Sequence, residues 1–263
     1  MLNRMIRVLF IGDIVGKSGR TALSERLPFL KQKYQYDLLI INGENSAHGK
    51  GITRKIYDSF IDLGADCVTL GNHAFSKSMV MDFIEDADSL IRPYNMEPLN
   101  IGKPCKIIDW QGYKIGIYNI YGNIFMDNAT SSPFYAMEAL LKKYPSDIRI
   151  VDIHAETTGE KYTFMQYFRD EIQMIVGTHT HIQTADEQIM GKCAFISDVG
   201  MTGAYDSVLG RDTDEVIHRM VYLENTRYTI SENPAMLCGV CVDIDLERKQ
   251  AVHIERIQLR PGD

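Results

Sequence analysis

The chain has 263 residues and a mass of 29.9 kDa, with 45% hydrophobic and 24% charged residues. This length and composition are typical of a globular protein with a large buried core, and they exclude a disordered or fibrous chain. The 28 basic and 35 acidic residues give a net charge of −7, which argues against stable DNA binding. A small anionic substrate in a local basic or metal-bearing pocket remains compatible with this charge.

No apolar run approaches the 18 residues that a membrane span requires, and the amino terminus carries no recognisable signal peptide. We therefore expect a cytoplasmic protein without membrane association. The five cysteines are an odd number in a chain without a secretion signal, which predicts reduced thiols. Cys238 and Cys241 form a C-x-x-C, but in a strand their sulfurs would point to opposite faces, so we expect core cysteines rather than a zinc site.

The first part of the chain repeats a unit of strand, polar loop and helix. Each strand is an apolar run that stops at Gly, Asp or Asn, which is typical of a strand buried on both faces. The expected strands cover 7–11, 37–41 and 67–70, and the helices that follow them lie near 22–30, 54–63 and 77–84. Three consecutive units of this kind imply a parallel sheet.

The second part begins with a predicted hairpin and then returns to alternating strands and helices. The hairpin strands cover 105–109 and 113–119, further strands cover 148–153, 172–176 and 193–196, helices lie near 133–144 and 158–168, and two alternating strands at 237–245 and 251–259 end the chain. No linker or internal repeat divides these elements. We therefore expect one α/β domain over residues 1–263, with mixed sheets covered by helices.

Polar residues with metal-binding or acid–base side chains follow the ends of these strands. They are Asp13, Glu44, Asn45, Asn72, His73, His154, His179 and His181. In an open α/β sheet ligands bind at the carboxyl ends of the strands, so residues far apart in sequence should meet there. His179 and His181 are two residues apart, which in an extended segment places both imidazoles on one side.

Carboxylate, amide oxygen and imidazole without thiolate are a ligand set that suits Mn²⁺, Fe or catalytic Zn²⁺ rather than structural zinc. Seven such residues are too many for one ion. A site with two metal ions would use them, and its usual reaction is the hydrolysis of a phosphate ester by an activated water. His73 would then be free to act as the general acid for the departing oxygen.

These residues lie in motifs that resemble the metallophosphoesterase signature and, more closely, its YmdB-like branch, bacterial phosphodiesterases that act on 2',3'-cyclic nucleotides. The motifs are Gly12-Asp13, Gly43-Glu44-Asn45, Gly71-Asn72-His73, His154 and Gly177-Thr178-His179-Thr180-His181. The resemblance extends from Met5 to about Leu259. It implies a four-layer α-β-β-α sandwich of two mixed sheets, the fold of calcineurin-like metallophosphoesterases.

The resemblance also implies roles for individual residues. Asp13, Asn45 and His181 would hold one metal, Asn72, His154 and His179 the other, with Glu44 bridging and His73 catalytic. Val15 stands where the wider superfamily has a ligand, and Asn45 replaces it in this branch. Ser76 and Asn123 stand where the branch usually has an acidic and a basic residue, so the motifs specify the substrate less closely than the metals.

The resulting hypothesis is a phosphodiesterase that hydrolyses 2',3'-cyclic nucleotides to 3'-nucleotides. It would use two divalent ions per chain, Fe or Mn in preference to Zn, and the resemblance implies a homo-oligomer. One alternative keeps the metals but changes the substrate to a 3',5'-cyclic nucleotide, a cyclic dinucleotide or a phosphomonoester. Another is a regulatory protein that binds metal and nucleotide without turnover.

Several local patterns carry a second interpretation. Gly12 to Ser18 resembles a phosphate-binding loop, but three residues separate its glycines where that motif needs four. His48 would either contact substrate or lie solvated in its loop. The segment 198–210 would be a wall of the substrate pocket or a structural loop. After His154 we expect a threonine helix cap, and neither Glu156 nor Lys161 is assigned a role.

Overall fold

The computed structural model describes residues 4–263, which contain fourteen β-strands. In chain order these are β1 (Met5–Ile11), β2 (Asp13–Ile14), β3 (Leu38–Asn42), β4 (Cys67–Thr69), β5 (Leu90–Ile91), β6 (Cys105–Trp110), β7 (Tyr113–Tyr121), β8 (Ile148–His154), β9 (Met174–Thr178), β10 (Gln188–Met190), β11 (Cys193–Ile196), β12 (Met201–Ala204), β13 (Ala235–Asp245) and β14 (Gln250–Leu259).

Five α-helices and one short 3-10 helix connect these strands within the described residues. The α-helices are α1 (Gly16–Tyr34), α2 (Arg54–Asp62), α3 (Pro133–Lys143), α4 (Thr158–Phe168) and α5 (Thr213–Val221), and the 3-10 helix covers Ser78–Asp82. Side chains of Thr53, Ser132, Thr157 and Asp212 cap the amino termini of α2 to α5. In the part of the chain that is described, no helix is long and apolar enough to cross a membrane.

The strands form two mixed sheets. The larger has eight strands in the order β2-β12-β13-β1-β3-β4-β5, with β14 also paired to β13. In it β1, β3, β4 and β5 are parallel, whereas β13 runs antiparallel to β1, β12 and β14. The smaller sheet has the order β10-β11-β9-β8-β7-β6, with a parallel centre and antiparallel edges.

A continuous apolar layer lies between the two sheets. Val8 and Ile40 of the larger sheet belong to the same buried cluster as Ile117, Ile150 and Val176 of the smaller one. Successive residues of a strand point to opposite faces of its sheet, so the residues that alternate with these point to the outer face. The two sheets therefore pack face to face, as in a sandwich.

Helices cover the outer face of each sheet. Leu9 and Ile41 of the larger sheet pack in one cluster with side chains of α1 and α2, and Val151 and Ile153 of the smaller sheet pack in another with α3 and α4. The helix residues are Leu23, Leu27, Leu30, Tyr57 and Phe60 on the first side and Ala136, Leu140, Phe164 and Phe168 on the second. The predicted four-layer α-β-β-α sandwich is confirmed.

The structure differs from the sequence-based prediction mainly in short elements. The helix expected near 77–84 is only a 3-10 turn over Ser78–Asp82, and β2, β5, β10 and β12 were not predicted. Cys238 and Cys241 are both buried and free, as expected of core cysteines. The single domain over residues 1–263 stays a prediction, and its residues 1–3 lie outside the described part of the chain.

One buried carboxylate joins the two sheets. Asp152 lies in β8 of the smaller sheet and accepts hydrogen bonds from Asn42 of β3 and Thr69 of β4, both in the larger sheet. It also accepts one from Thr178 of β9, at 2.7 Å. Because Asp152 is fully buried, these donors replace the water that the carboxylate loses on folding.

We expect the variant Asp152→Ala to lower the free energy of unfolding by about 3 kcal/mol, because it leaves three buried donors without an acceptor. Urea unfolding followed by circular dichroism measures this change. The exposed Asp170 provides the control, and Asp170→Ala should change stability by less than about 0.5 kcal/mol. Equal free energies of unfolding for the two variants would show that the hydrogen bonds of Asp152 do not stabilise the packing of the two sheets.

Candidate functional site

The side chains selected from the sequence lie at the carboxyl ends of parallel strands in both sheets. Asp13 begins β2 directly after β1, Glu44 and Asn45 follow β3, Asn72 and His73 follow β4, His154 ends β8, and His179 and His181 follow β9. Because the two sheets face each other, these strand ends meet along one edge of the sandwich. The expected convergence is therefore present in the backbone.

Four of these side chains converge on one point. We call them the ligand cluster, and they are Glu44, Asn72, His154 and His179. Nε2 of His154 lies 2.9 Å from Oδ1 of Asn72, 3.0 Å from Nδ1 of His179 and 3.2 Å from Oε1 of Glu44. One ring nitrogen carries either one hydrogen or one lone pair, so it cannot satisfy three polar neighbours. The ligand atoms of Glu44, His154 and His179 all lie within 4.8 Å of one another, a spacing at which they could hold a metal ion.

Hydrogen bonds on the Nδ1 side fix the orientation of the His154 ring. Its Nδ1 lies 2.8 Å from Oγ1 of Thr178, and that hydroxyl donates its own hydrogen to Oδ1 of Asp152. The hydroxyl oxygen must then accept the Nδ1 hydrogen of His154. This arrangement directs Nε2 toward the cluster, where its lone pair would be available to a metal ion once the ring is neutral.

The loop after β9 holds His179 and His181 in left-handed backbone conformations, with φ of 103° and 67°. Nε2 of His179 lies 3.0 Å from Oε2 of Glu156, so this carboxylate helps to orient the ring. Nδ1 of His181 donates to the carbonyl oxygen of Leu209 at 3.1 Å, which leaves its Nε2 available as a ligand. Backbone strain of this kind persists only where the surrounding structure supports it.

A buried ion pair provides that support between the two histidines. Asp198 accepts hydrogen bonds from the backbone nitrogen and hydroxyl of Thr180, at 3.1 and 2.7 Å, and pairs with Nζ of Lys161 at 2.9 Å. Both charged residues are about 1% exposed. Since α4 carries Lys161, the ion pair connects the histidine loop to the helix that covers the smaller sheet.

Asp13 and Asn45 lie beside the cluster with unsatisfied oxygens. Oδ1 of each residue is buried and has no hydrogen-bond partner among the described residues. The amide nitrogen of Asn45 donates to the carbonyl oxygen of Gly49, and Oδ2 of Asp13 lies 3.5 Å from the backbone nitrogen of His179. Buried oxygens are normally paired, so these two fit positions where a cation would be bound.

The electrostatics of the cluster favour a positive charge at its centre. Burial raises the pKa of Asp13 well above its usual value, and Glu44 raises it further. Burial also acts to raise the pKa of Glu44, but His154 outweighs this effect and the pKa of Glu44 is about 2. Burial lowers the pKa of His179 to about 3, with repulsion from His154 acting in the same direction. Burial acts to lower the pKa of His154, but Glu44 outweighs this effect and raises it, so a metal ion bound at this ring would displace its proton.

His73 lies at the edge of the cluster, and its ring has two polar neighbours. Its Nε2 lies 3.3 Å from the amide nitrogen of Asn72, and its Nδ1 lies 3.2 Å from Oγ of Ser76. Its backbone nitrogen donates to Oε2 of Glu44 at 3.0 Å. The residue therefore fixes Glu44 through its main chain while its imidazole stays outside the group of ligand atoms.

The structure thus brings together Glu44, Asn72, His154 and His179 by direct contact, and it places Asp13, Asn45, His73 and His181 around them. The sequence analysis assigned no role in orienting the candidate ligands to five residues, namely Ser76, Asp152, Thr178, Thr180 and Asp198. Glu156 and Lys161 were noticed without an assigned role. The available signal was the presence of Asp152 within an apolar strand, because a carboxylate there needs buried partners.

Comparison with known proteins gives this site its chemical class. A curated relative from Bacillus subtilis (strain 168), named 2',3'-cyclic-nucleotide 2'-phosphodiesterase, is 43% identical, and the match covers 96% of each chain. The crystal structure of a phosphatase from Mycoplasma pneumoniae is 34% identical with a TM-score of 0.94, covering 99% of this chain and 95% of that one. The protein is a phosphoester hydrolase.

The family follows from a second comparison. The family model described as YmdB-like protein matches residues 9–257, so the chain belongs to the YmdB-like family. The crystal structure of a hypothetical protein from Thermus thermophilus has the same fold, with 32% identity, a TM-score of 0.90, and coverage of 97% of this chain and 99% of that one. The resemblance read from the motifs is confirmed.

We expect Gly71→Ala to lower hydrolysis of bis(p-nitrophenyl) phosphate by at least about 100-fold, because a Cβ at this position would clash with the His154 ring and with Oε2 of Glu44. Steady-state kinetics with added Mn²⁺ measures the loss. Gly159 has no atom within 4 Å of the equivalent Cβ, so Gly159→Ala should keep wild-type activity. Full activity of Gly71→Ala would show that the cluster is not the active site.

Proposed function

We propose that the protein is a metal-dependent phosphodiesterase that hydrolyses 2',3'-cyclic nucleotides to 3'-nucleotides. The observation that carries the proposal is the convergence of Asn72, His179 and Glu44 on Nε2 of His154. The choice of substrate is supported by the name of the Bacillus subtilis relative, which is 43% identical over nearly the whole chain. The phosphoester bond to the 2' oxygen is the bond that would break.

We further propose that the site holds two divalent ions per chain. Asn72, His154 and His179 would hold one ion, Asp13, Asn45 and His181 the other, and Glu44 would bridge them. The unpaired buried oxygens of Asp13 and Asn45 support the second position. Oxygen and imidazole ligands without thiolate suit Fe or Mn better than structural zinc.

When bound, two such ions supply a water nucleophile of lowered pKa and stabilise the negative charge that develops on the phosphate. The protein's own residues would orient the ligands and move the proton. Asp152 and Thr178 keep the lone pair of His154 directed at the cluster. The imidazole of His73 would deliver a proton to the departing 2' oxygen, a role supported by its position beside Asn72 and Glu44.

Two alternatives share the same residues. A hydrolase for 3',5'-cyclic nucleotides, cyclic dinucleotides or phosphomonoesters would keep the metals, and a regulatory protein would bind metal and nucleotide without turnover. The imidazole of His73 beside the ligand cluster favours an enzyme, because a binding site needs no general acid. We also propose that the protein is cytoplasmic and forms a homo-oligomer. The five free buried thiols support a reducing compartment such as the cytoplasm.

The function is tested by metal analysis and turnover on the same preparation. We expect about two metal equivalents per chain and conversion of 2',3'-cyclic AMP to the 3' nucleotide, lost with chelator and restored by Mn²⁺. Product analysis by chromatography separates the 3' from the 2' nucleotide. Protein that carries two metals but cleaves only another phosphoester would support the first alternative, and metal without any turnover would support the regulatory one.

We expect His73→Ala to lower kcat by about 10²- to 10⁴-fold with the metal content unchanged. Alanine keeps the backbone nitrogen that donates to Glu44, so the ligand cluster should remain intact. Elemental analysis and kinetics on 2',3'-cyclic AMP test both statements. His253 is exposed on β14, and His253→Ala should behave as wild type. An unchanged kcat for His73→Ala would remove this residue from the reaction.

A further inference from the structure

A basic pocket lies next to the ligand cluster, between the start of α1, the loop that follows Asn45, and the segment 227–232. Its volume is about 610 Å³, which is within the range of small-molecule binding sites. Its lining includes Lys17, Arg20, His48, Arg227, Tyr228 and Glu232. None of the roles proposed above uses these residues.

The charge of the pocket is opposite to that of the chain. Lys17, Arg20 and Arg227 contribute three positive charges against the single carboxylate of Glu232. Across residues 4–263, none of the three basic side chains forms an ion pair. Since the whole chain has a net charge of −7, unpaired cations gathered in one cavity favour an anionic ligand there.

The pocket also contains an aromatic side chain held by cations. Nζ of Lys50 lies 4.8 Å from the centre of the Tyr228 ring, and the guanidinium carbon of Arg211 lies 4.7 Å from it. Tyr228 is 37% exposed, so part of the ring remains accessible. Basic groups beside an accessible aromatic ring are the combination with which proteins bind single-stranded nucleic acid, through the phosphates and through stacking of a base.

Direct contacts connect this pocket to the ligand cluster. The backbone nitrogen of Gly16 donates to the carbonyl oxygen of Asn45, and the side-chain amide of Asn45 donates to Gly49, each at 3.0 Å. Gly49 packs so closely on the pocket wall that a Cβ there would clash with Ile230 and lie 2.8 Å from Oη of Tyr228. His48 is three residues from Asn45, a distance of at most about 11 Å along the chain. The pocket and the ligand cluster are therefore neighbours through Asn45 and the loop that follows it.

We propose that this pocket binds the phosphodiester on the 5' side of an oligoribonucleotide whose 3' end is a 2',3'-cyclic phosphate. The inference rests on the proposed function, because the cyclic phosphate would occupy the ligand cluster. The preceding phosphate would contact Lys17 and Arg227, and the neighbouring base would stack on Tyr228. A mononucleoside 2',3'-cyclic phosphate has no phosphate for this pocket, so the pocket selects longer substrates by lowering their KM.

The test compares 2',3'-cyclic AMP with a triadenylate that ends in a 2',3'-cyclic phosphate. We call the double variant Lys17→Gln, Arg227→Gln the pocket variant. In it we expect the KM for the triadenylate to rise about tenfold, while kcat/KM for 2',3'-cyclic AMP stays within about twofold of wild type. The wild-type preference for the triadenylate should also weaken with added salt, because the contacts are ionic.

The matched control removes the same charges elsewhere. Lys142 and Arg169 are exposed on the helical side of the smaller sheet, and Lys142→Gln, Arg169→Gln should leave both KM values unchanged. If the control variant raises the KM for the triadenylate as much as the pocket variant, the effect is one of net charge and the proposal is wrong. An unchanged KM in the pocket variant overturns it as well.

A binding measurement separates this proposal from the proposed function. Fluorescence anisotropy of a labelled triadenylate with a 3'-phosphate reports binding without any turnover. Tenfold weaker binding to the pocket variant supports the pocket even if the wild type hydrolyses no cyclic nucleotide, in which case only the proposed function fails. Equal binding to wild type and pocket variant overturns the pocket proposal whatever the enzyme hydrolyses.

Discussion

The hydrogen-bonded chain from Asp152 through Thr178 to His154 connects the fold to the site. Asp152 holds the two sheets together through Asn42 and Thr69, and the same carboxylate accepts the hydrogen of Thr178. That hydrogen bond decides which nitrogen of His154 faces the cluster. The packing of the sandwich and the orientation of the His154 ring therefore depend on one buried acceptor, whose loss would disturb both.

The histidine loop after β9 is held in place by a different buried charge. Asp198 receives two hydrogen bonds from Thr180 and is compensated by Lys161, so the residue between the two histidines is fixed although its neighbours have positive φ. A buried ion pair contributes little net stability when compared with apolar residues of the same volume. Its value here is positional, because it fixes two imidazoles whose backbone conformation is unfavourable on its own.

The sequence predicted the parts of this protein that follow from periodicity and from strand ends. Apolar runs such as 8–11 identified the buried strands, and the polar residues after the strands identified the candidate ligands, because parallel strands bring their carboxyl ends to one edge. The prediction of a helix near 77–84 was wrong, because the segment forms only a short 3-10 turn. Short strands such as β12, and the threonines that orient ligands, have no periodic signal. Tertiary pairing alone defines them.

The ligand cluster and the basic pocket carry charges of opposite sign that lie side by side. Asp13, Glu44, Asp152 and Asp198 are all buried near the strand ends, and the positive charge of Lys161 is already committed to Asp198. Carboxylates gathered in this way repel each other unless cations are present, so the proposed metals would contribute to folding as well as to catalysis. The unpaired basic residues of the neighbouring pocket would in turn hold the preceding phosphate of an oligoribonucleotide beside this cluster.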